Sequence, residues 1–434
     1  MKFIAVAIFT LCIALYLKGG LEGSYLLPLD HEAIRYASEP ANDPVSALQR
    51  RLEKGEVKLD FDPQFGYVPA VLHLLNVPIS SQVLVFSKTS FQSPRISPRS
   101  PRAIYFNDRV AVGSVRGGDV VELSALDPRQ GIVFYTLDQE KSERVRFVRR
   151  YECLQCHHSS ATLGVPGSVV RSVHTSTTGM PVFQAGTFVT DHRSPFAERW
   201  GGWYVSGTHG TALHMGNVTA EDKETGKLEV SHGANITDLK AKFDTGAYLS
   251  PHSDIVSLMV LEHQSRMTNL ITRVGWEERM ALHAQIGMNR ILHEPEDAVS
   301  DSTRRRIHNA SDELVRYLVF AEEAPLTAEV RGTSGFAAEF AKLGPRDAQG
   351  RSLRDFDLTR RMFKYPCSYL IYSEAFDAIP RIAREQIYRR LWEVLTGVDN
   401  SPAYANLSVA DRKAILEILL ETKKGLPAYW TPRG

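Results

Sequence analysis

Near residue 254 the apolar residues of this 434-residue chain change their period, and that change limits the folds open to it. Before it, the runs 82–88, 103–115, 120–126 and 131–137 are rich in Val, Ile, Phe and Tyr. Asn-Asp, Gly-Gly-Asp and Asp-Pro-Arg turns separate them, which predicts short antiparallel strands. Further strand signals lie at 168–173, 180–190, 203–207 and 212–218. After it, the runs 255–293, 303–321 and 380–397 keep helical spacing and are broken by Pro366, Pro380 and Gly397. Strands that precede helices in this way predict an α+β fold, with an antiparallel β-rich N-terminal and central part and a mainly α-helical C-terminal part. The divisions expected are a signal or short anchor at 1–20, a mixed helical segment at 21–79, a β-rich region at 80–250 and a helical region at 251–434. The chain exceeds the ~250–300 residues at which one core stops growing, so two or three packed units are expected.

Two local features qualify this outline. Pro44, the spacing of Leu48 and Leu52, and Gly55 predict a short helix over 44–59. Three Ser-Pro-Arg triplets at 91–102 forbid regular structure and read as an exposed loop or linker.

Met1-Lys2 precedes an apolar run at 3–17, closed by Lys18-Gly19-Gly20, which is the pattern of an export signal. As a helix the run spans roughly 22 Å, short of the ~30 Å hydrocarbon core. A full transmembrane anchor is therefore disfavoured. Lys18 nevertheless stands where small residues should mark a cleavage site, so an uncleaved anchor stays open. The chain is expected to be periplasmic or otherwise exported, with peripheral or N-terminal membrane association.

Lys plus Arg number 51 against 50 for Asp plus Glu, a balance that removes the electrostatic warrant for nucleic acid as a partner. The 4 cysteines cannot scaffold a chain of this length with disulfides. Cys12 falls in the apolar run, and Cys367 reads as a small buried apolar residue. The other two stand in Tyr151-Glu152-Cys153-Leu154-Gln155-Cys156-His157, whose Cys-x-x-Cys-His is the c-type haem attachment signature. The spacing has a chemical reason: two thiols add to the vinyl groups on one porphyrin edge, and the next imidazole turns under the ring to the iron. Two other readings stand beside it. A thioredoxin-like redox pair needs a helix start within a βαβ unit, which these flanks do not resemble. A structural zinc site needs two more ligands, and His209-Gly-Thr-Ala-Leu-His214 supplies a pair far along the chain.

On Cys153, Cys156 and His157 the chain resembles the large exported monohaem c-type cytochromes, the cytochrome c domain-containing proteins. That resemblance implies one covalent haem c, with Cys153 and Cys156 as attachment points and His157 as the proximal iron ligand. It rests on a motif of five residues, 153–157. The remainder departs from small helical cytochromes c, because the motif follows a β unit deep in the chain.

His158 cannot be the second axial ligand, since its neighbour already fixes the chain beneath one face of the ring. The stretch 174–215 is dense in candidates: His209 and His214 rank first, then Met180 in its Gly-Met-Pro turn, then Met215, with His174 and His192 nearby. Arg171, Arg193 and Arg199 are candidates for pairing with haem propionates. His263 and Met267 share a helix face at i and i+4 and could border the pocket. The expected function is single-electron transfer with a redox partner protein or a small electron donor or acceptor. The alternative is a haem c enzyme of peroxidase or oxidase type, with an open iron face and acid/base groups such as His209 with Glu198 or Arg199. The size of the chain favours that alternative. A haem-based sensor ranks third, for want of an output module or a sustained coiled coil. No P-loop, dinucleotide fingerprint, nucleophile elbow or H-E-x-x-H motif is present.

Overall fold

The computed structural model describes residues 25–220 and 227–431, and residues 1–20, read above as a signal or anchor, lie outside that range. The fold is α+β. Strands β1 (Val83–Val85), β2 (Arg102–Phe106), β3 (Val110–Ser114), β4 (Val120–Asp127), β5 (Gly131–Asp138) and β6 (Val148–Arg149) form an antiparallel meander. Strands β7 (Arg171–Val173) and β8 (Thr187–Val189) make a separate small ladder, while β9 (Trp203–Tyr204) returns to pair with β1. The order of the large sheet is β6-β5-β4-β3-β2-β1-β9. A third ladder joins β10 (Gly207–Thr208) to β11 (Arg331–Gly332).

The turns of the meander follow from their residues. Asn107 Oδ1 accepts from the backbone N–H of Arg109 and Val110 at 2.9 Å each, which closes the β2–β3 turn. Asp127 Oδ1 does the same for Arg129 and Gln130, and Gly131 at φ +86° takes the left-handed position that ends the β4–β5 turn.

Both faces of this sheet are covered, which is why β5 is buried at every position except its last. Val121, Leu123, Val133, Tyr135 and Leu137 face one core with helices α1 (Pro44–Glu53) and α2 (Val68–Leu74). On the opposite face Leu126, Ile132 and Phe134 meet the helical half. There a one-turn helix α3 (Leu154–His157) precedes α4 (Ile255–Leu292), whose 38 residues form the spine of the molecule. Asp254 starts α4 by accepting from the N–H of Val256 and Ser257. Its polar as well as apolar residues are buried through Ala281, as expected of a helix enclosed on all sides. Around it lie α5 (Asp301–Leu318), α6 (Phe336–Lys342), α7 (Glu374–Asp377), α8 (Arg381–Leu395) and α9 (Val409–Thr422). Among the described residues no helix is long and apolar enough to cross a membrane.

Some expectations change. The first helix stops at Glu53, because Gly55 adopts φ +70°. Residues 212–218 form no strand: Met215 and Asn217 N–H donate singly to the carbonyls of Arg199 and Trp203, and Gly216 N–H donates to His214 Nδ1. The Ser-Pro-Arg segment is irregular but not a free linker: Ile96 is fully buried, and Gln92 donates to Glu122 of β4 at 2.9 Å. Helices α2, α3, α6, α7 and α9 lie outside the runs read individually as helical.

Candidate functional site

The candidate site begins where the chain leaves the sheet edge at β6. Residues 153–158 make one tight helical turn, with Cys156 N–H and His157 N–H both donating to the Cys153 carbonyl, at 3.2 and 3.0 Å. In such a turn residues three apart share a face, so the two sulfurs point the same way and the imidazole follows directly. Both thiols are free; Cys156 is exposed and Cys153 half-buried. Burial, then the carboxylates of Glu122 and Glu152, push the Cys153 thiol up, so it is held protonated. Cys367 differs entirely: it is sealed in the helical core, where burial raises its pKa.

His157 is fixed by its other ring nitrogen. Nδ1 lies 3.0 Å from the Gly167 carbonyl oxygen, and a carbonyl only accepts, so the ring proton sits on Nδ1 and Nε2 keeps its lone pair. Burial holds the pKa of this imidazole below its usual value, which keeps the ring neutral. Phe134 of β5 packs against it at a centroid distance of 4.8 Å. The Gly167 carbonyl is itself held in place. Its N–H donates to the His157 carbonyl at 2.9 Å, and Asn269 of α4 brackets the next residue, accepting from Ser168 N–H and donating to Ser168 O. A Cβ at Gly167 would stand 2.2 Å from Asn269 Oδ1, so the bracket closes only over glycine. This arrangement, an imidazole oriented by a carbonyl that a second contact orients in turn, is how proteins prepare histidine as a metal ligand. His158 is structural: its Nε2 donates to the carbonyls of Leu27 and Gly164 at 2.9 and 3.1 Å.

The sheet face beside the turn is polar. Arg102 and Glu122 form an ion pair across β3, where the missing side chain of Gly113 leaves room for the guanidinium. Glu122 also accepts from Ser90 Oγ and Gln92 Nε2, at 2.8 and 2.9 Å. The charges of Arg102 and Glu122 act on both Cys153 and His157, and that of Arg171 on His157. A narrow cleft between this face and α4 is lined by Ala111, Ser124, Ile132, Ser168, Gln264 and Thr268 and has room of about 30 Å³.

The other candidates are dispersed. Met180 is surface-exposed. Met215 is buried, and its thioether accepts from Ser172 Oγ at 3.6 Å. His209 and His214 pack on each other at 4.8 Å, with Trp200 and Phe196 alongside. His209 Nε2 accepts from Asn235 N–H and His214 Nδ1 from Gly216 N–H, so in the neutral rings the proton sits on the opposite nitrogen of each. Those two opposite nitrogens are buried without a hydrogen-bond partner. A protonated ring nitrogen has no lone pair for a metal, so ligation by either histidine requires its backbone bond to break first. Burial keeps both rings neutral, with His214 pushed down to about 3.

The density of histidine after residue 174 has another destination. His192 and His263 meet Nδ1 to Nδ1 at 2.8 Å, fully buried and stacked on Tyr317 and Phe320. Beside them Arg199 pairs with Glu262 at 3.2 Å, and Arg193 with Asp191 at 2.9 Å. Of the three arginines considered for propionates, Arg199 and Arg193 are thus committed to carboxylates, and Arg171 stands near His157. Met267 is a core residue. Among the described residues no group of three or more His, Cys, Asp and Glu is placed to hold a metal ion, so the Cys2His2 zinc arrangement is not assembled.

Sequence reasoning missed Gly167, Asn269, Phe134 and the Arg102–Glu122 pair. The Pro166-Gly167 dipeptide marks a turn after the motif, but nothing local says which ring it serves. A scan against protein-family models and searches of curated proteins and solved structures find no match to this chain.

Proposed function

We propose that the chain is an exported haem c-binding protein that passes single electrons through one covalently attached haem, serving a redox partner protein or a small electron donor or acceptor. The observation that carries this reading is the fixed His157 ring, its Nε2 lone pair left free by the Gly167 carbonyl, one helical turn from two free thiols on a shared face. The donor set fits the group: two thiols for thioether bonds and one neutral imidazole for iron. When bound, haem c supplies a one-electron iron(III)/iron(II) couple. The chain does the rest. Cys153 and Cys156 would hold the group through thioether bonds, His157 would ligate its iron, Phe134 packs against that imidazole, and Arg171 would offer a positive charge to a propionate. The exposure of Cys156 supports electron transfer over sequestered catalysis, since it sets the attached edge at the surface where a partner can approach.

The test is expression with the periplasmic maturation machinery, followed by mass spectrometry after acid-acetone extraction. One haem retained per chain is expected; zinc or no added mass defeats the reading. Carrier and enzyme are then separated by the ferric spectrum. A carrier gives a low-spin, six-coordinate spectrum and little carbon monoxide binding, and alanine substitution of one among His209, His214, Met180 and Met215 converts it to high-spin. A high-spin parent protein that reduces peroxide with an added donor would overturn the carrier.

A further inference from the structure

The last turns of α4 leave the body of the molecule. Ala284, Met288, Ile291 and Leu292 follow the i, i+4, i+7, i+8 spacing of one helix face, and all four are exposed, Ile291 at 74% and Leu292 at 60%. The other side of the same turns is anchored: Gln285 accepts from Ser300 and Thr303 of the α4–α5 turn, and Asn289 donates to the carbonyls of Pro295 and Ala298. The stripe is thus a formed, rigid surface whose apolar side has been left outward.

The stripe continues a face that is already covered one turn earlier. Trp276 and Met280 pack under Leu27, Ile34 and Tyr36, Tyr25 Oη donates to Glu277, and His31 meets His283 edge to face. The described chain therefore begins at Tyr25 against α4, immediately after the apolar run 3–17 and its polar tether 18–24. The seven residues 18–24 can bridge at most about 24 Å. Glu277 and Leu292 are 15 positions apart on the helix, or roughly 22 Å. The end of the apolar run can therefore reach the level of the stripe. Arginines flank the tip at 290, 304 and 305, among the acidic residues Glu294, Glu296, Asp297 and Asp301, with Arg290 paired to Glu296.

We propose that the Ala284–Met288–Ile291–Leu292 stripe is a bilayer-docking surface, lying in the interface of the same membrane that receives residues 3–17. That run is too short to span the hydrocarbon core, and one weak apolar anchor gives marginal attachment, whereas two give a stable one. The stripe supplies the second and orients the body on the membrane. This inference rests on residues 3–17 staying on the chain as an uncleaved anchor and is independent of haem.

The test uses the full chain carrying Ile291→Trp, with phosphatidylcholine–phosphatidylglycerol vesicles containing brominated acyl chains. Vesicles should shift the added tryptophan emission to the blue and quench it, while the parent protein, whose tryptophans lie elsewhere, shows no such change. Amide exchange over 284–292 should slow at the same time. Paired Ile291→Asp and Leu292→Asp substitutions should abolish that protection at an unchanged melting temperature. A red, unquenched Trp at 291 in the presence of vesicles overturns the proposal. Blue emission without vesicles also overturns it: if it grows with protein concentration the occupant is a second copy, and if not, it is the chain's own apolar run. Retained covalent haem, read by mass on the same samples, reports the other reading separately.

Discussion

Two places in this molecule gather imidazole with charged side chains, and they are built in opposite ways. At His157 the ring is oriented by one carbonyl, keeps a free lone pair, and stands beside thiols that reach solvent. At His192 and His263 both rings are sealed in the core, bonded to each other, and ringed by Asp191, Arg199, Glu262 and Arg266. The first is packed on one side by Phe134 and keeps a ring nitrogen and two thiols available. The second has dense packing and nothing that can enter. The contrast teaches that the partners of its two ring nitrogens decide whether an imidazole is spent on the fold or keeps a nitrogen available.

The sharpest way to break this contrast is to exchange the consequences of mutation. Replacing Cys153 and Cys156 together with Ala should remove covalently retained haem completely, as read by mass. His192→Gln should leave one haem on every folded chain; loss of haem there would join the two regions. Arg199→Met should cost about 3–5 kcal/mol of unfolding free energy in denaturant titration, because Glu262 would be left buried without its counter-ion. The haem content of the folded fraction should not change.

A smaller effect belongs to the bracket around the motif. Gly167→Ala drives a methyl into Asn269 and should cost about 1–3 kcal/mol. Unlike Arg199→Met, it should also disturb the haem spectrum, because the Gly167 carbonyl orients His157. A spectrum identical to the parent would show that the carbonyl does not govern the ring.

The smallest effect is a difference in pH dependence. Burial pushes His263 down to about 3, while an unfolded imidazole titrates near 6.5. Below that pH the unfolded chain takes a proton the folded chain refuses, so stability falls as pH drops from about 6.5 toward 3. Glu262, which burial pushes up to about 7 against the opposing pull of Arg199, contributes with the opposite sign: its share is present at low pH and lost as pH rises through 7. Urea unfolding of His263→Asn against the parent isolates the histidine part. The variant should lose less stability between pH 6.5 and 4, and equal losses would show that this ring titrates freely in the fold.

The strands, the long helices and the nearness of Cys153, Cys156 and His157 were legible because each is written in residues close together. β4 alternates with period two, β5 is a continuous apolar run after the Asp-Pro-Arg-Gln-Gly turn, and α4 declares itself by Asp254 and the apolar spacing that follows. The run 212–218 misled because only isolated backbone bonds and the Asn217 side chain join it to 199–205, and no strand ladder forms. The crowding of His and Met after residue 174 misled in another way: composition cannot tell Met180 at the surface from Met215 in the core.

What the sequence by itself determined is the α+β order of elements and the turn that sets Cys153, Cys156 and His157 together, since both follow from spacing within a few residues. Which imidazole stays open was decided only by the tertiary structure. Asn269 lies 101 positions from the Ser168 it brackets, and His263 lies 71 from the His192 it seals. Hydrogen-bond partners and burial are properties of the packed chain, and α4 supplies them to both regions from its two sides.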